Sequence, residues 1–373
     1  MAEVPVNGKV LIWARTIRGL SIEAAADLLN VTVDDLRAYE AGERKPLVGL
    51  LRTVASKYRI NFTSLLMPEP LPLLPPPADH RTRADAKPLT IDTLVAIEEI
   101  SEALDAFGDI ADEDSRLVPK LRIGTATLDE DPEEVAARER KKFDVSFQLQ
   151  RSWHGADGAR NQWRYRVEAK GVFTYMVPMP KGELSGFSIL RNDLAAICIN
   201  DNEPSEGAKI FTLFHEYCHL LLRNAGISDE NDGNRVEQFC NQFAASFLIP
   251  KTALSQAIKV ATPYEFSDNQ VHKLARSFRV SNRAIALRLE KTGFAPRGFY
   301  GRRTGPWDAP SDPKPIPLGG QPSPIRIRLK RIGKLHAVTV LQAVEHRAIN
   351  SLDASELIGL RSAIFPKLRA ILG

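Results

Sequence analysis

One apolar segment, KIFTLFHEYCHLLLR from Lys209 to Arg223, limits the folds that are open to this chain. It predicts a helix with apolar residues on nearly every side, which is typical of a helix buried in a core. His215, Glu216 and His219 interrupt the apolar run, and burying them costs free energy unless a partner compensates their polarity. The segment therefore predicts a core helix with a polar site built into it.

The two histidines of this segment can bind a metal ion together. His215 and His219 are four positions apart and share a helix face. In such a pattern the carboxylate of Glu216 reaches a metal-bound water instead of the metal. The alternative is that both histidines are ordinary core residues with satisfied ring nitrogens. Because the bare pattern is often a chance occurrence, a third ligand is needed to decide.

The next predicted helix, NRVEQFCNQFAASFLIP, offers that ligand. A turn-rich connection, NAGISDENDG, precedes it, and two antiparallel helices joined by a short loop bring such positions together. Glu237 can then complete the ligand set, and Asn241, four residues later on the same face, can hydrogen-bond the site. Two histidines and a glutamate suit one Zn²⁺ per chain best, with Mn²⁺ as an alternative.

Three motifs, in this order, resemble the ImmA/IrrE metallopeptidases: GFSILRNDLAAICINDNEP, FTLFHEYCHLLL and EQFCNQFAASFLIP. The resemblance covers about residues 130–295. It implies a zinc endopeptidase with a zincin-like fold of a small sheet plus helices. It also implies that His215, His219 and Glu237 are the ligands and Glu216 the general base. The family's known role is specific cleavage of a helix-turn-helix repressor, which releases genes for mobile-element excision or the DNA-damage response.

Strands are predicted upstream of the metal-binding pattern. The runs GVFTYMVPMP and FSILRNDLAAICIN are rich in β-branched and apolar residues and are bounded by Pro and Gly. The apolar run from Ala195 to Asn200 is the expected edge along which an extended substrate could lie by strand addition. Further upstream, DPEEVAARERKKF predicts a helix with Asp131 as N-cap and Pro132 at its first position.

The first 67 residues predict a separate bundle of about five short helices, with Ser21 and Thr32 as N-caps. The pattern, and above all its YEAGERKP ending, resembles the Cro/phage-repressor (XRE) helix-turn-helix class, in which the helix from Thr32 lies in the major groove. The DNA contacts expected from that likeness are Thr32, Val33, Arg37 and Tyr39.

Charge leaves the role of this helical bundle open. Residues 1–67 contain nine Lys/Arg and seven Asp/Glu, and the whole chain carries a formal charge of +4. Asp34 and Asp35 suit a helix N-terminus but face phosphates badly, and Arg37 is the only basic residue of the predicted recognition helix. Operator binding, self-association and recruitment of a repressor remain the alternatives.

Two irregular stretches divide the chain into domains. Prolines in MPEPLPLLPPPADHRTRADAKP cannot continue a helix or a central strand, so this stretch predicts a stiff linker. The predicted organisation is a helix-turn-helix domain 1–67, a linker 68–89, a metallopeptidase domain 90–296, a linker 297–324 and a C-terminal module 325–373.

Two further patterns complete the predicted α+β, multidomain fold. Residues 269–294 predict a second helix-turn-helix-like pair, which the resembling family carries as part of its fold. In the tail, Ile/Leu alternates with Arg/Lys from Ile325 to Lys330, which predicts a half-buried strand with a basic outer face. We therefore expect an all-α N-terminal bundle, a central zincin-like domain and a small C-terminal α+β appendage for dimerisation or sensing.

Composition narrows the function classes. Three cysteines are too few for a secreted disulfide framework, the N-terminus lacks the pattern of a signal peptide, and no apolar run approaches the roughly 20 residues that span a bilayer. These features predict a cytoplasmic protein that does not enter membranes. We expect an endopeptidase acting on a regulatory protein. The alternative is a helix-turn-helix regulator whose zincin-like domain acts as sensor or scaffold. A homodimer is possible in either case.

Overall fold

The computed structural model describes residues 3–71, 89–223, 230–258, 263–303 and 323–373. Within these ranges the chain forms two compact units, residues 3–71 with 89–100 and the described residues from 101 onward. Most of the two predicted linkers, residues 72–88 and 304–322, lies outside the described residues, as does the connection 224–229 after the first metal-binding helix.

The N-terminal unit is helical, as the sequence predicts. Ser21 and Thr32 each accept a hydrogen bond from a backbone N–H of the first helical turn, as N-caps do. Asn30 ends the second helix with φ of 54°, a left-handed conformation that asparagine tolerates well. The helices are α1 Gly8–Thr16, α2 Ile22–Leu29, α3 Val33–Glu40 and α4 Val48–Tyr58, followed by a 3₁₀ turn Phe62–Leu66.

The second unit contains helices and a small sheet, which confirms the predicted α+β class. Asp131 is the N-cap of α6, and Pro132 opens that helix, as predicted. The elements up to the sheet are α5 Ile91–Glu113, whose residues up to 100 belong to the N-terminal unit, α6 Pro132–Phe143, α7 Phe147–Ser152 and α8 Gly155–Glu168. The later ones are α9 Glu206–Leu222, α10 Glu230–Leu248, α11 Lys251–Ala257, α12 Asp268–Phe278, α13 Asn282–Lys291, α14 Pro324–Glu345, α15 Ser351–Ile358 and α16 Phe365–Leu372.

Three strands form the sheet, β1 Val172–Val177, β2 Gly186–Arg191 and β3 Leu194–Asn200, in the order β1-β3-β2. β3 runs parallel to β1 and antiparallel to β2. The prediction that Ala195–Asn200 forms the edge is wrong, because β3 is the central strand. Its continuous apolar run reflects burial on both faces, which is typical of central strands. The edge beside the metal-binding helix is β2.

Helices cover both faces of this sheet. On one face, apolar side chains of β1 and β3, such as Val172 and Ile197, share a core with α9 and α10. On the other face, Phe107 of α5 stacks on Phe173 of β1, with ring centroids 4.3 Å apart. Helix α14 also packs against β1, and α15 and α16 pack against α14. The sheet therefore lies between two helical layers.

The C-terminal tail is helical over residues 324–345 apart from one break, so the predicted strand at 325–330 and the predicted α+β appendage are wrong. Ser323 caps α14 and Pro324 occupies its first turn, which are helix-start features. Ile325 and Ile332 are buried whereas Ile327 is 56% exposed, so burial follows a helical spacing and not the alternation of a strand.

Helix α14 is interrupted at Gly333, whose φ of 77° and ψ of 168° are not helical. A Cβ there would lie 2.6 Å from the carbonyl oxygen of Thr174 in β1, so only glycine allows this approach. Arg164 donates to the Lys330 carbonyl at the end of the first half. Glu168 accepts from the amides of Lys334 and Leu335 at the start of the second. Two buried charges of α8 thus cap both ends of the break.

No helix in the described part of the chain is long and apolar enough to cross a bilayer. The three cysteines, Cys198, Cys218 and Cys240, are buried and free.

Candidate metal centre

Helix α9 presents the two predicted histidine ligands side by side. Ser205 caps the helix by accepting a hydrogen bond from the Ala208 amide, and most of the helix is buried, as its apolar sequence predicts. One helical turn separates His215 and His219, and their Nε2 atoms lie 3.1 Å apart. Both imidazoles therefore point their outer nitrogens at the same place.

Glu237 reaches the same place from α10. Its Oε2 lies 3.4 Å from Nε2 of His215, and its Oε1 lies 3.3 Å from Nε2 of His219. A tetrahedral ion with ligand distances of about 2.0–2.1 Å separates its ligand atoms by about 3.3–3.4 Å. The structure thus brings the three predicted ligands close enough together to hold one metal ion.

The hydrogen bonds around the three side chains favour the protonation state that binds a cation. Nδ1 of His215 lies 3.1 Å from Oδ1 of Asn241, and a ring that carries its proton on Nδ1 donates to this oxygen and has a lone pair on Nε2 for a cation. Burial opposes ionisation of Glu237, but hydrogen bonds from His215 and His219 outweigh it and lower the pKa of this carboxyl group below its usual range. The three side chains therefore offer a carboxylate oxygen and two ring nitrogens as candidate metal ligands.

The ligand group is partly open to solvent. The side chains of His215 and His219 are 14% and 7% exposed, whereas that of Glu237 is 31% exposed. A catalytic zinc needs such access, because its fourth position must take water or substrate. Within the described residues, these three form the one group of histidine, cysteine and acidic side chains close enough to hold an ion together.

Glu216 lies beside this group but is not a member of it. Its side chain is nearly buried, with 3% of the residue exposed, and its Oε2 accepts a hydrogen bond of 3.0 Å from Oγ of Ser188 in β2. Ser188 could not be predicted from sequence, since only the pairing of β2 with β3 places this serine next to α9. A carboxylate held beside a metal but not bound to it can accept a proton from a water molecule.

The end of α10 is anchored by side chains from three other helices. Arg140 donates to the Phe247 carbonyl, Gln150 to the Leu248 carbonyl and Arg288 to the Ile249 carbonyl. These are carbonyls that a helix end leaves without partners. The anchoring fixes the helix that supplies Glu237. It also gives Arg288, in the second helix-turn-helix-like pair, a structural role.

The predicted DNA-contact residues do not form an exposed basic surface. Thr32 bonds Asp35 through its hydroxyl, and Val33 and Tyr39 pack against the core of the N-terminal unit. Arg37 is exposed and lies 3.8 Å from Asp34, and Arg44 pairs with Asp35. Two acidic side chains therefore stand beside the basic ones at this surface.

A comparison with known families places the metal centre in context. Residues 167–290 match the model of the Peptidase_M78 family, described as the IrrE N-terminal-like domain. The matched region covers about a third of the chain. No curated protein matches the chain.

This IrrE N-terminal-like match runs from the end of α8 to the end of α13, so it contains the sheet, α9 and α10. It lies inside the region whose motifs resemble the ImmA/IrrE metallopeptidases, and it supports a metallopeptidase-type function for this part of the molecule. The N-terminal unit and the kinked helix α14 lie outside it.

Proposed function

We propose that this chain is a zinc-dependent endopeptidase that cleaves a regulatory protein, most fittingly a helix-turn-helix transcriptional repressor. The observation that carries the proposal is the convergence of His215, His219 and Glu237, with Glu216 next to them, inside the region that matches a metallopeptidase family. The identity of the metal is part of the proposal, and two nitrogens with one carboxylate favour zinc.

A bound Zn²⁺ would lower the pKa of a water molecule and polarise the scissile carbonyl. Glu216 is placed to accept a proton from water as a general base and later to donate it to the leaving amine as a general acid. Asn241 keeps the proton of His215 on Nδ1, so that Nε2 stays free for the metal. The contact between Asn241 and His215 is present before a substrate arrives.

The substrate is expected to lie along β2. Among the described residues β2 pairs with β3 and with no other strand, so its second edge can accept an extended peptide by strand addition. Gly186 and Ser188 of this strand approach Glu216, so a peptide added there passes the metal centre. This position replaces the one expected on β3.

A helix-turn-helix regulator with a sensing metal site is the second candidate. The observation in its favour is the helical N-terminal unit, with capped helices α2 and α3 joined by a short turn. Buried Glu216 favours cleavage instead, because a scaffold has no use for a carboxylate beside the metal. In our proposal the N-terminal unit binds DNA or the repressor that is cut.

The deciding experiment is elemental analysis of the purified protein with Glu237→Ala and Glu216→Gln beside it. We expect about one zinc per chain in the wild type, loss of the zinc in Glu237→Ala and retention in Glu216→Gln, because only the first variant removes a ligand. A wild type that stays metal-free after dialysis against zinc would exclude the peptidase. If zinc binds, Glu216→Gln serves as a trap that holds substrates without cutting them.

A further inference from the structure

The hydrogen bond from Ser188 to Glu216 joins the edge strand to the proposed general base. The Ser188 hydroxyl donates to Oε2 of Glu216 at 3.0 Å, and the bond is partly buried. Glu216 is 3% exposed, so its carboxylate has lost most of its contact with water. A hydrogen-bond donor from the protein then both stabilises the carboxylate and orients it. Among the described hydrogen bonds, the Ser188 hydroxyl donates to Glu216 and to none of the three candidate metal ligands.

The backbone of β2 is shaped for this contact. Gly186 lies two residues before Ser188 and therefore on the same face of the strand. A Cβ on Gly186 would lie 2.6 Å from Cγ2 of Thr212 in α9 and 2.6 Å from the Cys198 carbonyl oxygen. A larger residue would push β2 away from α9, so the glycine permits the approach that the serine needs.

The position of Ser188 along the strand is fixed as well. Ser188 pairs with Ile197 of β3, and β3 pairs on its other side with β1. A strand that slipped by one residue would turn Ser188 to the opposite face of the sheet, where Phe187 is buried. The serine therefore stands on a rigid element, which is what a group needs to orient another.

We propose that Ser188 is a positioning residue that holds the carboxylate of Glu216 through Oε2, in the orientation in which this carboxylate takes the proton of the attacking water. This inference rests on the proposed peptidase function. It deepens that function by assigning a role to the edge strand in proton transfer, besides its role as a platform for the substrate. The serine acts through Glu216 and does not itself react.

Kinetics of the zinc-loaded protein test the positioning role. For Ser188→Ala we expect kcat to fall about tenfold, with KM and zinc content unchanged, because a misdirected base slows the chemical step and not binding. Ser188→Thr, which keeps the hydroxyl, should recover most of kcat. Ser255→Ala, which removes an exposed serine of α11, is the matched control and should leave kcat unchanged. Equal kcat in Ser188→Ala and wild type would overturn the proposal.

A second measurement needs no activity. In the metal-free protein, Ser188→Ala should lower the urea midpoint of unfolding, and it should have little effect when Glu216→Ala has already removed the acceptor. The same loss in both backgrounds would show that the serine does not act through Glu216, and would overturn the proposal. A zinc-loaded wild type that cleaves no peptide would overturn the proposed peptidase function. The stability measurement in the metal-free protein tests the Ser188–Glu216 contact separately, so the two proposals can fail independently.

Discussion

At the scale of single residues, the metal centre depends on hydrogen bonds as much as on its ligands. Asn241 sets the proton of His215, and Ser188 contacts Glu216. The shared direction of His215 and His219 could be predicted from sequence, because a four-residue spacing on a helix fixes a shared face. Asn241 followed from the same rule. The approach of Glu237 to the two histidines was predicted from the short connection between the two helices. Ser188 could not be predicted, because its contact depends on strand order and register, which no local pattern contains.

A buried histidine in the C-terminal layer also has a defined protonation state. His336 lies between the Tyr175 hydroxyl, which donates to its Nδ1 at 2.9 Å, and the Leu357 carbonyl, 3.0 Å from its Nε2. A neutral ring with its proton on Nε2 satisfies both contacts. Burial, and next the positive charge of Arg328, lowers the pKa of His336 to about 3.

This histidine predicts a loss of stability in acid. The unfolded chain protonates the residue near pH 6.5 and the folded chain near pH 3, so its contribution is complete above pH 6.5 and is lost as the pH falls toward 3. The free energy of unfolding should fall by about 1.4 kcal/mol per pH unit in this window from His336 alone. Urea unfolding at pH 7 and at pH 4.5 measures this fall in the free energy of unfolding. The pH-dependent difference should shrink in His336→Gln and persist in His346→Gln, an exposed histidine nearby.

At the scale of elements, the starts of helices were predicted correctly where an N-cap residue marks them. Ser21, Thr32 and Asp131 were predicted as N-caps and are N-caps. The prediction for the tail was wrong because two local signals conflict there. The alternation from Ile325 to Lys330 fits a strand, whereas Pro324 after a serine cap fits a helix start. Tertiary packing on β1 settles the conflict in favour of the helix. The central position of β3 was likewise a matter of long-range pairing.

The break in α14 predicts a large effect of one methyl group. Gly333→Ala should destabilise the second unit by about 2 kcal/mol or more, because φ of 77° is strained for alanine and the methyl would meet Thr174 and Glu168. Gly158→Ala, at a helical position whose nearest contact is 3.8 Å away, is the matched control and should be neutral or slightly stabilising. Thermal unfolding followed by circular dichroism compares the two. Equal midpoints would contradict the tight fit at Gly333.

At the scale of the whole molecule, the family match is shorter than the folded unit that holds the metal centre. Phe143 of α6 and Trp163 of α8 belong to the same apolar core as Phe214 and Phe247, which lie in the helices of the metal centre. The opposite face of β1 is covered by Phe107 and by α14. None of these covering elements lies within residues 167–290, apart from the end of α8.

A truncation tests this dependence. The chain shortened to residues 167–290 should be insoluble or lack a cooperative unfolding transition, because it exposes much of the core of the second unit. The chain shortened to residues 89–373 should unfold cooperatively and bind zinc. Calorimetry and zinc content compare the two. A cooperative transition in the shorter chain would show that the matched region folds alone.

The late place of α14 in the chain has a consequence for biosynthesis. A ribosome makes β1, β3 and both metal-binding helices well before it makes the helix that covers β1, and Glu168 waits for the amides of Lys334 and Leu335 until then. Domains fold during synthesis only once their residues have emerged. The nascent chain therefore carries the three candidate metal ligands on a scaffold that lacks one of its layers until α14 has been made.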